Sequence, residues 1–422
     1  MGFATQYLEK QKEYIRLISE SPSQNLKFIV VIPCYNEEKI TDTLNSLWSC
    51  ERPEAHVEVI VVINSAISAP ENIIQQNKKT HDEVITWISK HLDQKIRFFV
   101  INKTGISEKN SGAGYARKLG MDEAISRFNT LNNESGVIIS LDADTLCKTN
   151  YLVEIEKSFE NKPRTNALTI YFEHPLQGSE FDSNVYNAIT RYELYLRYFK
   201  HALKYTGFPY PYYTIGSCFA VSAKAYIKQG GMSRKQAGED FYFLQKIFSL
   251  GNTEELNSSC VYPSPRPSDR VPFGTGPVIR AMLENNEHFY PVYQFESFSD
   301  LKAIFKITEQ LYRINSGQLN ELLYLLPLPV ADFLAQNDFI ATVTEINANS
   351  SNVKAFSKRF FEWFNAFRII KYLNFVHDKY YKKQELTGEC QKLLKSLKIS
   401  PVPENKNYLK YLEIFRGIEK SN

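Results

Sequence analysis

The strongest constraint on the fold is a repeated alternation of short apolar runs with longer helix-forming stretches. The apolar runs cover residues 27–33, 57–63, 96–101 and 137–141, and the helix-forming stretches cover residues 38–48, 71–92 and 114–128. An unbroken apolar run is typical of a strand that is buried on both faces of its sheet. Strands that alternate with helices pair in parallel, because each helix returns the chain to the same edge. The sequence therefore predicts an α/β fold with a mostly parallel sheet flanked by helices.

The rest of the chain has a different pattern. Further helices are predicted at residues 182–205 and 239–250 and a further strand at residues 216–221, and the sequence beyond about residue 286 is mainly helical. A chain of 422 residues is also longer than one average domain. We therefore expect a helical lead-in at residues 1–24, an α/β domain at residues 25–290 and a helical C-terminal domain at residues 291–422.

Composition and charge argue against several classes of protein. The net charge of +3 is nearly neutral, so a nucleic-acid partner is not expected. The six cysteines contain no Cys-x-x-Cys pair, which argues against a zinc site and favours a reducing compartment. The richest apolar run, residues 322–334, is interrupted by prolines and Asp332 and is shorter than the roughly 18 residues of a membrane span. With no apolar leader at the N-terminus, we expect a cytoplasmic protein without a transmembrane segment.

Polar side chains follow the predicted strands at the edge where parallel sheets bind their ligands. The first strand ends in Pro33-Cys34-Tyr35-Asn36-Glu37, and the second strand ends at Asn64. The fourth strand is followed by Asp142-Ala143-Asp144. Because the carboxyl ends of parallel strands meet at one edge, the sequence predicts a binding site that these three segments share.

Asp142 and Asp144 are candidate metal ligands. Two carboxylates separated by one residue point the same way from an extended backbone. Mg²⁺ and Mn²⁺ prefer oxygen ligands, and they commonly take one or two carboxylates together with substrate phosphates. The pattern therefore predicts a site for Mn²⁺ or Mg²⁺ that neutralises a nucleotide diphosphate, with a helix cap in a solvated loop as the alternative. His174, in an aromatic setting, is either a further metal ligand or a structural residue.

Residues 109–118 are rich in glycine and lead into a predicted helix. Gly112 and Gly114 allow a ligand to approach the backbone closely, and a helix N-terminus favours anions. Arg117 and Lys118 add positive charge. The segment matches neither the Rossmann dinucleotide motif nor a Walker A loop. It is interpreted as an anion-binding segment, with an ordinary flexible loop as the alternative.

Two later segments carry charged residues that suit catalysis. Glu239 and Asp240 stand at the start of a predicted helix, where the helix dipole also favours acidic residues for stability alone. Asp240 is the first candidate for a general base that takes a proton from an acceptor hydroxyl, and Glu239 is the second. Arg266 and Arg270, in a loop rich in Pro and Gly, are spaced either to clamp a diphosphate or to pair with acidic residues at the surface.

Together these clusters resemble the family 2 glycosyltransferases, which have the nucleotide-diphospho-sugar transferase (GT-A) fold. The resemblance covers about residues 27–285 and rests on residues 32–37, 109–117, 142–144 and 238–240. It implies an enzyme that moves a sugar from a nucleotide-diphosphate donor of the UDP or GDP type to an acceptor hydroxyl. The combination of four motifs in this order is far more specific than any one of them.

For the nucleotide, the resemblance implies that Pro33, Tyr35 and Glu37 lie near the nucleobase and ribose. It implies further base contacts at the end of the second strand, where Asn64 replaces the acidic residue that is usual in the family. An amide can still pair with the edge of a base. The preference for one nucleobase therefore stays open.

For the phosphates and the chemistry, the resemblance implies positions beside the nucleotide for Gly112, Gly114 and Arg117. It implies that Asp144 binds the metal directly and that Asp142 lies nearer the ribose and the metal shell. It also implies that Asp240 is the catalytic base of an inverting, single-displacement reaction.

Other assignments remain open from the residues alone. A non-catalytic nucleotide-binding scaffold and a retaining glycosyltransferase share such a donor site. A sugar-nucleotide pyrophosphorylase needs a Gly-rich loop with Arg and Lys after its first strand, where this sequence has Cys34-Tyr35-Asn36. Processive synthases carry membrane helices and a Gln-x-x-Arg-Trp signature, and the sequence contains neither.

The resemblance does not explain the helical C-terminal region. Residues 358–372 mix basic and large apolar residues at helical spacing. One interpretation is a membrane-surface helix that holds the enzyme at the inner face of the membrane, near a lipid-linked glycan acceptor. The other is an amphipathic helix that packs on the catalytic domain.

Overall fold

The computed structural model describes residues 2–11, 16–108, 111–233, 238–270, 273–285, 290–403 and 406–421. The chain divides into two compact units. The first consists of Met1–Ile189, Tyr212–Asn285 and Glu419–Asn422, and the second consists of Thr190–Pro211 and Asn286–Ile418. Among the described residues, no helix is both long enough and apolar enough to cross a membrane.

Within the described part of the first unit, eight strands form one sheet in the order β3-β2-β1-β4-β7-β6-β8-β5. The strands are β1 Leu26–Cys34, β2 His56–Ala66, β3 Ile96–Ile106, β4 Val137–Ser140, β5 Thr145–Cys147, β6 Ala167–Phe172, β7 Phe219–Ser222 and β8 Thr253–Pro263. The pairs β1–β2, β1–β4, β2–β3 and β6–β8 are parallel, whereas β7 and β5 run antiparallel to their neighbours. The four strands predicted from apolar runs are β1 to β4, so the prediction of a mostly parallel α/β sheet is confirmed.

The position of β1 explains why its sequence is an unbroken apolar run. Val30 faces Val59 of β2 on one side and Ile139 of β4 on the other. None of the three side chains is exposed to solvent. A strand with partners on both edges and packing on both faces leaves no position where a polar side chain reaches water.

Helices surround the sheet of the first unit. They are α1 Thr5–Lys10, α2 Ile40–Trp48, α3 Glu71–Lys90, α4 Ala113–Thr130, α5 Tyr151–Asn161, α7 Ala223–Lys228, α8 Glu239–Phe248 and α9 Thr275–Glu284, and α6 Ser183–Tyr205 begins in this unit and continues into the second. Helix α4 packs against β1 and β2 at Gly120. A Cβ atom at Gly120 would lie 2.5 Å from Val31 Cγ1 and 3.0 Å from Val62 Cγ2, so glycine permits this close approach.

The second unit is mainly helical. It contains α10 Phe295–Lys306, a 3₁₀ turn Thr308–Leu311, α11 Ser316–Leu325, α12 Leu328–Ala335, α13 Phe339–Ala348, α14 Val353–Trp363, α15 Ala366–Lys379, α16 Leu386–Ser396, most of α17 Tyr408–Lys420, and the antiparallel strands β9 Pro291–Val292 and β10 Gln384–Glu385. Aromatic rings fill its core, with ring centres 5.3 Å apart between Phe333 and Tyr372 and 5.1 Å apart between Phe305 and Phe364. Much of the high aromatic content of the chain therefore serves packing.

The amphipathic stretch at residues 358–372 belongs to α14 and α15. Its apolar side chains Phe360, Ile369 and Tyr372 are buried. They are part of the core of the second unit, so this face is not available to a membrane surface. The burial places the apolar side chains of this stretch in the core of its own unit, and packing on the catalytic domain stays a prediction.

Candidate functional site

Two groups of charged side chains gather at the carboxyl edge of β1 and β4. The first group, here called the arginine cluster, consists of Glu37, Asp144, Arg266 and Arg270. The second group, here called the Arg117 cluster, consists of Arg117, Asp142, Glu239 and Asp240. Residues 142 and 144 follow β4 directly, so this short segment contributes one carboxylate to each cluster.

In the arginine cluster, two guanidinium groups bridge two carboxylates. Arg266 Nη2 lies 2.6 Å from Glu37 Oε2 and 3.1 Å from Asp144 Oδ2. Arg270 donates from Nη1 to Glu37 Oε2 at 2.9 Å and from Nη2 to Asp144 Oδ2 at 3.0 Å. Both arginines remain about one quarter exposed, at 28% and 23%. They are therefore held in place from one side and open to a ligand from the other.

Glu37 is the buried anchor of this cluster. Its side chain has no exposed surface, and Oε1 also accepts a hydrogen bond from the Lys39 backbone N–H at 3.0 Å. Burial by itself would raise the pKa of the Glu37 carboxyl, but Arg266, the Lys39 N–H and Arg270 outweigh it and hold the pKa below its ordinary value. The Glu37 carboxylate is therefore paired with the two arginines, and its role in the site is to position their guanidinium groups.

Asp144 is in a different electrostatic state from Glu37. Burial raises the pKa of its carboxyl, and the opposing attraction of Arg270 and Arg266 does not cancel that effect. Within the described residues, only Oδ2 has hydrogen-bond partners, and Oδ1 has none. Asp144 is therefore paired with both arginines through Oδ2, and its Oδ1 is the oxygen that a ligand or cation can reach.

The Arg117 cluster is built around one buried cation. Arg117 is 3% exposed and extends from α4, whose N-terminus begins at the same edge of the sheet. Its Nη2 donates to Asp142 Oδ1 at 2.6 Å, its Nη1 donates to Glu239 Oε1, and its Nε donates to Ser140 Oγ at 3.1 Å. The guanidinium thus joins the end of β4 to the start of α8.

Gly216 makes room for the Arg117 cluster. A Cβ atom at this position would lie 2.6 Å from Arg117 Nη2 and 3.2 Å from Asp240 Oδ2. The predicted strand at residues 216–221 begins only at Phe219, because residues 215–218 form a turn with a hydrogen bond from Cys218 N–H to Ile215 O. Sequence analysis did not identify Gly216 as a site residue, and a glycine at the start of a predicted strand was the available signal.

Asp240 and Glu239 are adjacent in sequence but differ in their contacts. Glu239 is 3% exposed and bonded to Arg117, whereas Asp240 is half-buried and its Oδ1 accepts from the Phe241 N–H at 2.7 Å. Burial raises the pKa of the Asp240 carboxyl, and the charge of Arg117 only partly opposes this. Asp240 is therefore the carboxyl of the pair that combines solvent access with raised basicity.

The end of β2 is joined to the glycine segment. Asn64 is fully buried, and its Nδ2 donates to Gly112 O at 2.9 Å. Its Oδ1 is buried without a partner among the described residues. Gly112 adopts a φ of 111°, a conformation that glycine tolerates, and Gly114 is buried in the first turn of α4. Asn64, Gly112 and Gly114 thus lie together beside the N-terminus of α4.

The other predicted positions have different surroundings. Pro33 is buried in β1, and Tyr35 is half-buried, with its backbone oxygen 3.2 Å from Arg270 Nη1. Lys118 Nζ bonds to Asp122 Oδ2 at 2.7 Å, so its charge is already neutralised within α4. Lys109 lies outside the described residues.

The donor set suits a divalent cation that takes part of its shell from a ligand. Among the described residues, Asp142 Oδ2 and Asp144 Oδ1 have no hydrogen-bond partner, and both are hard oxygen donors. The described residues contain no group of three or more His, Cys, Asp and Glu that could hold a metal by themselves. His174 is buried, with its ring edge-on to Phe172 at 5.5 Å. The two aspartates therefore fit Mg²⁺ or Mn²⁺ only if phosphate or water completes the coordination.

A comparison with protein families matches residues 29–229 to the family described as Glycosyl transferase family 2. Residues 29–229 are a family 2 glycosyltransferase domain. The chain therefore carries a glycosyltransferase domain of this family, and the resemblance stated from its motifs is confirmed over these residues. The matched range contains Asp142 and Asp144 and ends before Asp240 and the two arginines of the arginine cluster.

Solved structures with a similar fold include those of S. aureus TarS. Residues 1–349 of TarS in complex with UDP-GlcNAc align with 14% identity and a TM-score of 0.39, covering 81% of this chain and 93% of that one. The complex of the same TarS fragment with UDP aligns with 14% identity and a TM-score of 0.36, covering 81% and 92%. Such a remote likeness says nothing about the ligands of this chain. No curated protein sequence matches it.

Proposed function

We propose that this glycosyltransferase moves a sugar from a nucleoside-diphosphate donor to an acceptor hydroxyl, with inversion at the anomeric carbon and with help from a divalent metal. The observation that supports this most directly is the position of residues 142–144, which supply one carboxylate to the arginine cluster and one to the Arg117 cluster. A diphosphate that reaches this segment meets two guanidinium groups and two metal-binding oxygens. The base candidate Asp240 belongs to the same constellation.

Different residues of the site bind the metal and the phosphates of the donor. Asp144 and Asp142 would hold Mn²⁺ or Mg²⁺, which supplies Lewis-acid stabilisation of the departing nucleoside diphosphate when bound. Arg266 and Arg270, fixed by Glu37, are the protein groups that bind the phosphate oxygens bidentately. Positive charge is thereby concentrated where negative charge grows in the transition state.

The residues at the end of β2 bind the nucleoside in this proposal. The buried Asn64 Oδ1 is an acceptor for an N–H group, which uracil and guanine both present on their Watson–Crick edges. The other nucleobases also present N–H groups, so the UDP or GDP type of the proposed donor comes from the family resemblance and not from this acceptor. Tyr35, half-buried beside Arg270, completes the nucleoside side of the site.

Asp240 takes the proton from the acceptor hydroxyl as that oxygen attacks the anomeric carbon. Its raised pKa makes it a stronger base than an exposed aspartate. Arg117 holds Glu239 and Asp142 on either side, so it positions the base relative to the phosphate side of the site. One base and one departing diphosphate in a single displacement give a product of inverted configuration.

The test is a thermal-shift series on the full chain with UDP, GDP, CDP and dTDP, each with Mn²⁺ and with a chelator. A ligand that binds only the folded state raises its stability, by about 2.7 kcal/mol at a hundredfold excess over Kd. We expect a shift with UDP or GDP that the chelator removes. If no nucleotide raised the melting temperature, the proposed donor site would be refuted. The scaffold alternative would then also lack a nucleotide ligand.

The stereochemistry needs its own measurement. Once a nucleotide is identified, its sugar conjugates are incubated with the enzyme and simple acceptors, and the anomeric configuration of the product is read by NMR. An inverted product supports the single displacement at Asp240. A product with the donor's configuration would assign the protein to the retaining alternative.

A further inference from the structure

The turn between α11 and α12 exposes large apolar side chains at an unusual density. Tyr324 is 88% exposed, Leu325 is 86% exposed and Leu328 is 68% exposed. These three side chains are here called the apolar tip. Elsewhere among the described residues, side chains of this kind that are more than 60% exposed occur singly. Single exposed apolar residues are ordinary on a protein surface, whereas a cluster marks a contact with something apolar.

The apolar tip takes no part in the core of its own unit. Helix α11 buries only Leu319, and α12 buries residues one turn further on, Val330 and Phe333. Pro327 caps α12, and its restricted backbone directs the turn. The tip is therefore an exposed turn that is held by the helices on either side of it.

Helix α15 runs antiparallel to α12, as their contacts show. Asn337, just beyond the end of α12, accepts a hydrogen bond from Lys371 at 3.1 Å. Asp332, in the middle of α12, accepts one from Tyr380 at 2.6 Å. Since Leu328 precedes Asp332 by about 6 Å along the helix axis, the tip lies beyond the C-terminal end of α15.

Lysines gather at that end of α15. Lys379 has a half-exposed side chain and bonds to Asp332, and Lys382 and Lys383 are exposed. The second unit as a whole contains 21 Lys and Arg against 15 Asp and Glu, although the entire chain is nearly neutral. Apolar side chains and exposed cations thus share one end of the unit.

We propose that the apolar tip inserts into the surface of an anionic lipid bilayer, with Lys382 and Lys383 against the head groups. Two leucines and a tyrosine suit the boundary between acyl chains and head groups, and each lysine near the surface adds attraction to anionic lipid. A protein partner is disfavoured by size, because a stable protein interface buries about 800 Å² on each side. Three side chains on one turn fall well short of that area.

The experiment measures co-sedimentation of the full chain with vesicles of phosphatidylcholine alone and with vesicles that also contain phosphatidylglycerol. The wild-type protein should bind the anionic vesicles, bind the neutral ones weakly, and lose binding as salt is raised. The double variant Leu325→Glu, Leu328→Glu should lower partitioning of the protein into the vesicle fraction at least about tenfold. It replaces apolar side chains that insert into the bilayer with carboxylates that anionic lipid repels. Lys382→Glu with Lys383→Glu should weaken binding to anionic vesicles only.

The matched control is Leu92→Glu, which changes an 81% exposed leucine of the first unit and should leave vesicle binding intact. All these positions are exposed, so the variants should melt like the wild type. Equal binding by the Leu325→Glu, Leu328→Glu variant, or absence of wild-type binding to anionic vesicles, would overturn the proposal. So would light scattering that shows a wild-type dimer, a monomeric tip variant and no vesicle binding by either protein.

Discussion

At the scale of single residues, the site depends on differences in environment between neighbouring carboxyl groups. Burial raises the pKa of both Glu239 and Asp240, but Glu239 is bonded to Arg117 whereas Asp240 keeps solvent access. Arg266 and Arg270 pair with both Glu37 and Asp144, yet the pKa of Glu37 is lowered and the pKa of Asp144 is raised. Burial disfavours every one of these anions, so the number and strength of the hydrogen bonds to each carboxylate decide its state.

The first prediction concerns Asp240→Asn. An amide cannot take the acceptor's proton, so kcat should fall about 100-fold or more. Donor binding should survive, because Asp240 does not contact the metal ligands or the arginine cluster. Thermal shift with nucleotide and steady-state transfer rates measure the two effects separately. The exposed Asp82→Asn serves as control, and normal transfer by Asp240→Asn would remove Asp240 from the base role.

The second prediction concerns pH. The base form of Asp240 is the deprotonated one, and burial raises the pKa of this carboxyl. Activity should therefore be present above that pKa and should fall as the pH drops through it, at a higher pH than for an exposed aspartate. The profile of kcat against pH measures this acid limb. If kcat stayed constant down to the pH at which an exposed aspartate becomes protonated, the assignment of Asp240 as the base would be contradicted.

The third prediction concerns Glu37→Gln. The variant leaves Arg266 and Arg270 without their buried anion, so stability at neutral pH should fall by about 2 kcal/mol and nucleotide affinity should weaken. Because the folded pKa of Glu37 is lowered, its stabilisation is present above about pH 5 and is lost as the pH falls through that lowered pKa.

Urea unfolding at several pH values tests this prediction. The stability difference between the wild type and Glu37→Gln should be largest at neutral pH and should shrink in acid. The half-exposed Glu83, which pairs with Lys79, provides the control as Glu83→Gln for removing a carboxylate from the surface. A constant difference at all pH values would show that Glu37 stabilises the fold by something other than its charge.

At the scale of secondary-structure elements, the sheet is held to its helices by very close packing. Gly120 of α4 is the contact point, because a Cβ there meets Val31 at 2.5 Å. By contrast, Gly417 of α17 is an exposed helical glycine with nothing within 4 Å of an added Cβ. The same substitution should therefore have opposite effects in these two helices.

The fourth prediction is that Gly120→Ala destabilises the protein by about 1–3 kcal/mol, whereas Gly417→Ala stabilises it by about 0.5–1 kcal/mol. The first change forces β-branched neighbours in a packed core to move, and the second reduces the backbone entropy of the unfolded chain. Chemical denaturation of both variants measures the difference. A stability of Gly120→Ala equal to that of the wild type would show that α4 shifts away from β1 at little cost.

At the scale of the whole molecule, the two units carry different kinds of charge. In the first unit, the arginine cluster and the Arg117 cluster lie at the edge of the sheet, and their charged groups are paired with each other. The second unit has an excess of lysine and arginine, and its lysines at the end of α15 are mostly exposed. Paired charges suit a preorganised catalytic site, whereas exposed cations suit attraction to an anionic surface.

Much of the first unit was predictable because its signals are local. An apolar run such as residues 57–63 predicts a buried strand whatever its partners are, and β2 is there. Strand β8 was missed, because its polar residues, Thr253-Glu254-Glu255 among them, lie in a strand near the edge of the sheet and do not form an apolar run. The order of the motifs was likewise enough to indicate the family.

The sequence alone thus determined the α/β sheet, the positions of the charged motifs at the ends of its strands, and membership of a glycosyltransferase family. Tertiary structure decided which charges meet. Glu37 and Arg266 are 229 residues apart in the chain, and no local pattern pairs them. It also decided that Gly216 faces Arg117 and Asp240, and that residues 322–334 divide into a buried part and the exposed apolar tip. Burial and ion pairing depend on contacts between distant segments, so only the folded chain settles them.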